Sequence, residues 1–151
     1  KNALIIAKNI LNALSNIYPE HKETFQSNYK AFTDSVTALD AEISSSLSSL
    51  NSRAFFTYHP SLSYFSRDYN LDQYPLELGG KTPSSAYLKN LIDIGKDQQI
   101  KVVFLQMQFD QKNAEVLAKE IGAEIVQINP LDPEWYKQML FISEKIKENL
   151  Q

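Results

Sequence analysis

Cysteine is absent from the chain, which excludes disulfides, thiolate metal sites and cysteine nucleophiles. It leaves the compartment open, because many periplasmic proteins also lack cysteine. Glycine is scarce, four residues in all, and none falls into a dinucleotide fingerprint or a Gly-x-Ser-x-Gly elbow, so dehydrogenase and hydrolase templates find no foothold. Gly80-Lys81-Thr82 resembles the tail of a phosphate loop, but Pro75 stands where the motif needs its first glycine and Pro83 removes an amide from the cradle. The reading that remains is a turn followed by a helix with proline at its first position. No charge of one sign dominates: the net charge is -3 with lysines and glutamates interspersed, which argues against a nucleic-acid or anionic-membrane surface. No run approaches the roughly 18 to 20 apolar residues of a membrane span, and no charged-then-apolar leader opens the chain. Lys1 to Ala7 enters an amphipathic pattern with neither methionine nor a capping residue in front. The expectation is a fragment or mature half whose targeting signal was removed or lies elsewhere.

What is present suffices for one ordinary domain: 151 residues with 43% hydrophobic content. Leu4, Ala7, Ile10 or Leu11, Leu14 and Ile17 recur at helical spacing, predicting a helix over 3–17 that Tyr18-Pro19 breaks. A second helix restarts at Pro19-Glu20, with Glu20 and Glu23 at its positive end. Phe25, Tyr29, Phe32, Val36, Leu39, Ile43, Leu47 and Leu50 step by three or four, giving one helix over about 20–48, roughly eight turns. So long an element with so narrow a seam reads either as a strut between lobes or as an ordinary helix on one sheet. The serine-rich 44–52 stretch is its fraying end.

Strands are predicted near 54–58, 72–77, 101–107 and 124–129, the second weakened by Pro75 and therefore placed at an edge. Helices lie between them: 61–69 with Leu62, Phe65 and Tyr69; one carrying Tyr87, Leu88, Leu91, Ile92 and Ile94; and one with Ala114, Leu117, Ala118 and Ile121 inward, capped by Asp110 and stopped by Gly122. The last opens at Pro133-Glu134 with Trp135, Met139, Leu140, Ile142 and Ile146. Alternating strands and helices imply a parallel sheet. The fold class is α/β: a four-stranded parallel sheet flanked by helices, preceded by a long helix.

The stretch Arg53 to Tyr69 organises the rest. Ala54 to Tyr58 reads as a buried strand that ends on His59, with Pro60 forcing a turn. The carboxyl edge of an open parallel sheet is where ligands bind. The Gln106–Phe109 and Asn129–Asp132 segments should emerge on that same edge, bringing an imidazole, amides and a carboxylate near one another. A neutral imidazole there can ligate a metal; equally, a lone histidine can be a hydrogen-bonded loop residue. His21 reads as solvated, Asp68, Asp72 and Glu77 as isolated, solvated turn acids, and Trp135, Tyr136 and Met139 as packing.

His59-Pro60-Ser61-Leu62-Ser63-Tyr64-Phe65-Ser66-Arg67-Asp68-Tyr69, Gly80-Lys81-Thr82-Pro83-Ser84, Lys101-Val102-Val103-Phe104 with Gln108-Phe109, and Ile128-Asn129-Pro130-Leu131 together resemble the carboxy-terminal lobe of the zinc- and manganese-specific solute-binding proteins of ABC importers. The family includes adhesion-type metal-binding lipoproteins. The resemblance spans essentially the whole chain and makes 20–48 the helix that links two lobes, 1–50 a helix pair and 51–151 a metal-binding lobe, with the amino-terminal lobe missing. It implies a metal held between lobes by three histidines and a carboxylate, or with a glutamate for the third histidine in manganese-type members. His59 matches the third ligand and leans toward zinc. The family's aspartate position falls on Asn129, a poorer ligand, which leaves Asp132, water or nothing in the fourth place. The implied partners are the metal as cargo, an ABC permease transmembrane subunit and the missing lobe; the implied location is periplasmic or extracytoplasmic, with a lipid anchor in some members. Competing readings are a metal-free structural or interaction domain, which Asn129 favours, and a small flavodoxin-like enzyme with His59 as acid or base, which lacks an activating partner. Exposed apolar surface on the helix pair would favour self-association of the chain.

Overall fold

The computed structural model describes residues 1–109 and 111–151; the expected cap Asp110 lies outside the described residues. The chain divides into two compact units, Lys1–Ser45 and Ser46–Gln151.

The first unit is helical. Helix α1 is Asn2–Ile17, a 3₁₀ turn follows at Pro19–His21, and α2 runs unbroken through Lys22–Ser46. Pro19 stands at the start of the 3₁₀ turn with Glu20 beside it, the place where a missing amide costs nothing. Of the inward positions expected in α1, Leu11 is buried, whereas Ile10 and Ile17 are 52% and 64% exposed. The structure thus resolves the Ile10/Leu11 ambiguity in favour of Leu11 and moves Ile17 off the inner face. Ala7, Ile10, Leu11 and Leu14 of α1 face Phe25, Asn28, Tyr29 and Phe32 of α2 across an open groove of about 280 Å³, and the Lys8 ammonium lies 5.3 Å from the centre of the Tyr29 ring.

The second unit is a four-stranded sheet, order β2-β1-β3-β4, with β1 Ala54–Thr57, β2 Asp72–Pro75, β3 Val102–Gln106 and β4 Glu124–Ile128. Every pairing is parallel, with Phe56 opposite Tyr74 on one side and opposite Val103 on the other, and Phe104 opposite Val126. β1 and β3 are buried along their whole lengths, as parallel strands covered on both faces must be. Pro75 ends β2, an edge strand, where its lost amide is tolerated.

Helices α3 Ser63–Tyr69, α4 Ser85–Asp97 and α5 Lys112–Ile121 supply the crossovers, and α6 Trp135–Leu150 follows β4. One face of the sheet (Ala54, Phe56, Tyr58, Val103, Leu105) packs with Leu91 of α4 and Ala114, Leu117 and Ala118 of α5. Gly95 lets α4 come close: a Cβ there would meet Ile121 and Phe56 atoms at 3.0 Å. On the other face Phe55 and Phe104 meet edge to face at 5.6 Å, and α6 packs on β3 and β4 with Ile142 and Ile146 fully buried.

Three helix starts differ from the expectation that a proline opens them. α3 begins three residues after Pro60, because Ser61 N–H turns back to the His59 carbonyl at 2.7 Å. Pro83 precedes Ser84, whose hydroxyl accepts from Tyr87 N–H at 3.2 Å and so caps α4. Pro133 precedes α6 by two residues, since the Asp132 carboxylate takes the Glu134 amide at 2.8 Å and holds that segment as a turn.

Candidate functional site

β1 ends at Thr57, and pairing continues one step further through Tyr58 N–H to the Phe104 carbonyl at 2.9 Å. His59 comes next, at the carboxyl edge of the sheet, with its side chain 47% exposed. The sheet order puts β2 on one side of it and β3 on the other, and each contributes a buried polar side chain.

From β3 comes Gln106, the last residue of the strand and 2% exposed. Its Oε1 accepts from His59 N–H at 3.1 Å, and its Nε2 donates to the His59 carbonyl at 2.8 Å and to Ser61 Oγ at 2.7 Å. One amide therefore clamps both main-chain groups of His59 and the turn behind it. Just beyond β3, Phe109 stacks on the imidazole, centroids 5.6 Å apart and planes 16° apart, and also meets the Tyr58 ring at 5.0 Å.

From the β2 side comes Glu77, 5% exposed, whose Oε1 faces His59 Nδ1. This overturns the expectation that Glu77 is a solvated turn residue. The reason lies in the backbone: Leu76 N–H bonds to the Thr57 carbonyl at 2.8 Å and Glu77 N–H to that of Tyr58 at 3.1 Å, so the β2 track continues beside β1 past Pro75. It stops at a tight reversal, Leu78 paired with Lys81, in which Gly79 and Gly80 both hold positive φ, 59° and 75°, a conformation that only glycine adopts cheaply. An acid between two leucines just ahead of a glycine pair stands at the end of the strand expected over 72–77; what the sequence does not carry is that β1 runs alongside it and brings Glu77 to His59. Asp68 is a second correction: it lies inside α3, its side chain is 13% exposed, and it accepts from Arg67 Nε and Nη2 at 2.9 and 2.7 Å. Asp72 opens β2 and is exposed.

Asn129 and Asp132 follow β4, which β3 separates from β1 by two strand spacings, about 10 Å. Asn129 Oδ1 accepts from Leu131 N–H at 3.3 Å and Asn129 N–H donates to Gln138 Oε1 at 3.2 Å. Asp132 lines a small polar cavity of about 160 Å³ with Glu134, Lys137, Gln138 and Phe141. Neither residue hydrogen-bonds to the cluster around His59. Among the described residues no group of three or more His, Cys, Asp and Glu side chains is placed to hold a metal ion. His21 is exposed, with Nε2 3.9 Å from a Glu20 oxygen, as its sequence position suggested. The arrangement is thus a half-exposed imidazole, anchored on three sides, beside a buried carboxylate. Such a group can ligate a cation or pass a proton.

Residues 1–148 match the family described as zinc-uptake complex component A, periplasmic (ZnuA). The chain is 31% identical over 134 residues to the zinc-binding lipoprotein AdcA of Streptococcus pneumoniae, and 29% identical over 141 residues to the zinc-binding protein AdcA of Streptococcus pyogenes. It covers 26% and 27% of those proteins while 86% and 91% of the chain is aligned, so it spans about a quarter of the length of the curated relatives it matches. Among solved structures, a crystal structure of ZnuA superposes with a TM-score of 0.91 at 35% identity, covering 94% of this chain and 56% of that one. Zn(II)-bound AdcAII of Streptococcus pneumoniae, in an E280Q variant, superposes at 0.85 with 25% identity, covering 99% and 57%. With nearly the whole chain matched in sequence and the parallel sheet matched in structure, this chain belongs to the ZnuA family of periplasmic solute-binding proteins.

Proposed function

We propose that the chain is the carboxy-terminal portion of an extracytoplasmic zinc-binding protein that delivers its metal to an ABC permease, and that His59 is its ligand to that metal. In this reading 20–48 is the linking helix, 51–151 is one lobe, and the remaining ligands, two histidines among them, belong to a lobe outside these residues. Zinc is cargo, so no bond is made or broken and the protein is not an enzyme. The observation that carries the reading is His59 itself: a half-exposed imidazole at the sheet edge, clamped by Gln106, stacked on Phe109 and backed by Glu77. The names of the relatives and of the superposing ZnuA structures support zinc in particular. An imidazole suits zinc better than manganese, which prefers oxygen donors. Lipid anchoring belongs to the same reading and is supported by AdcA of Streptococcus pneumoniae being named a lipoprotein.

A zinc site needs about four ligands, and one imidazole competes poorly with water. The 151-residue chain should therefore bind zinc weakly on its own. In the two-lobed parent, His59→Ala should lower zinc affinity about tenfold or more, the loss of one ligand in four. Asn129→Asp should raise it, because a carboxylate supplies charge and a hard oxygen where the amide supplies neither. Asp132 is the third position at this edge, and its carboxylate is committed to the Glu134 amide; Asp132→Asn should leave affinity unchanged. Calorimetry decides: wild-type affinity in His59→Ala, with no response to Asn129→Asp, removes metal binding from this edge and leaves a metal-free interaction domain in front.

A further inference from the structure

We propose that Glu77 is a positioning residue for metal capture: its carboxylate accepts a hydrogen bond from His59 Nδ1–H, so that the ring presents Nε2, with its lone pair, to the incoming cation. The inference rests on the zinc reading above and names the nitrogen and the residue that selects it. Neutral imidazole carries one proton on either nitrogen, and in water the Nε2-protonated tautomer is the more stable of the two. An ionised carboxylate only accepts hydrogen bonds. Placed against Nδ1, it requires the proton there and inverts that preference, freeing the outer nitrogen.

The geometry makes the selection durable. Glu77 is 5% exposed and tied through its own amide to the Tyr58 carbonyl at 3.1 Å, one residue before His59. The reversal at Gly79-Gly80 ends its track immediately afterwards. Phe109 lies parallel to the ring at 5.6 Å and covers one of its faces. Gln106 fixes the His59 backbone on both its N–H and its carbonyl. A half-turn of the ring about its Cβ–Cγ bond puts the carbon Cδ2, not Nε2, against the carboxylate, so Nε2 cannot replace Nδ1 there without moving the whole side chain off Phe109. A carboxylate behind a ligating histidine also raises the basicity of the metal-facing nitrogen. It brings negative charge toward the cation at an edge where Asn129, after β4, offers a neutral amide.

A merely structural ion pair would alter stability without selecting a tautomer, so the proton position is the discriminating readout. In the full chain labelled with ¹⁵N in its histidine rings, two-bond ¹H–¹⁵N correlation spectra at alkaline pH should show His59 as the Nδ1–H form, with exposed His21 as internal reference. In Glu77→Leu the proton should move largely to Nε2. A separate titration of the two-lobed parent with Zn²⁺ alone at neutral pH should move the Nε2 resonance of His59 in the wild type, with a midpoint about 10–100-fold higher in the variant. Nε2–H or an equal mixture in the wild type overturns the proposal, and this holds even if Glu77→Leu fails to fold. Persistence of Nδ1–H in a folded Glu77→Leu also overturns it. An Nδ1–H wild type whose His59 ignores Zn²⁺ keeps Glu77 as the residue that sets the tautomer and sinks the zinc reading instead.

Discussion

At the scale of single residues, the site is a case of buried polar groups that are tolerable only because each is partnered. Gln106 is 2% exposed and spends its amide on three contacts, two to the backbone of His59 and one to Ser61. Gln106→Leu keeps the volume and removes all three. At roughly 1 kcal/mol for each lost hydrogen bond, and with water able to reach part of the edge, it should destabilise the chain by about 2–3 kcal/mol in urea denaturation. Glu77 sets up a different asymmetry. Its side chain is 6% exposed while that of His59 is 47% exposed, so deleting the imidazole strands a carboxylate, whereas deleting the carboxylate leaves a ring that water can solvate. His59→Ala should therefore cost about 1–2 kcal/mol, less than a fully buried pair because the histidine half of it is exposed. Adding Glu77→Leu to His59→Ala should recover most of that loss. A double variant no more stable than His59→Ala alone would show that the two side chains are not energetically coupled.

At the scale of elements, packing decides where propensity alone points the wrong way. Gly95 sits inside α4, where alanine would ordinarily gain about 1 kcal/mol of helix propensity. A Cβ there meets Ile121 and Phe56 at 3.0 Å, and Phe56 is fully buried with nowhere to move. Overpacking at such a contact costs about 1–3 kcal/mol, so Gly95→Ala should be net destabilising by about 1 kcal/mol, as a lowered melting midpoint would show. The strands themselves were legible in the sequence because Ala54–Phe56 and Val102–Leu105 are unbroken apolar or aromatic runs, and parallel pairing followed from alternation with helices. Pro75 correctly marked an edge. The order of strands was not legible: the sequence placed Gln106–Phe109 and Asn129–Asp132 alike near His59, and the placement of β1 between β2 and β3 keeps Gln106 and Phe109, adds Glu77 and leaves Asn129 and Asp132 two strands away. Proline misled at α3, α4 and α6 for one shared reason. It favours a first helical turn, but Ser61, Ser84 and Asp132 offered competing local hydrogen bonds that set the chain in a turn or cap first.

At the scale of the molecule, the Lys1–Ser45 unit has more apolar surface than its own packing uses. Ile6, Ile10 and Ile17 recur at four and seven residues and so share one stripe of α1, with exposures of 58%, 52% and 64%. That stripe adjoins the one carrying Leu11, the buried residue of the helix, and Ile10 stands at the margin between them, where it also lines the groove toward α2. Ile5, 61% exposed, lies about 100° around the helix from Ile6, and Tyr18, 48% exposed, follows the helix end. Each of these side chains forgoes roughly 1.5–3 kcal/mol of burial by facing water, and contiguous exposed apolar surface favours association. The isolated 151-residue chain should accordingly self-associate through α1, giving a sedimentation coefficient that rises with concentration. Ile6→Glu with Ile10→Lys places an opposite-charge pair at i and i+4 on that stripe, in the order that supports a helix, while making the surface polar. The double variant should sediment as a monomer at concentrations where the unaltered chain associates, with its helical circular dichroism unchanged. Identical sedimentation of the two proteins would mean that α1 is not the surface through which the chain associates.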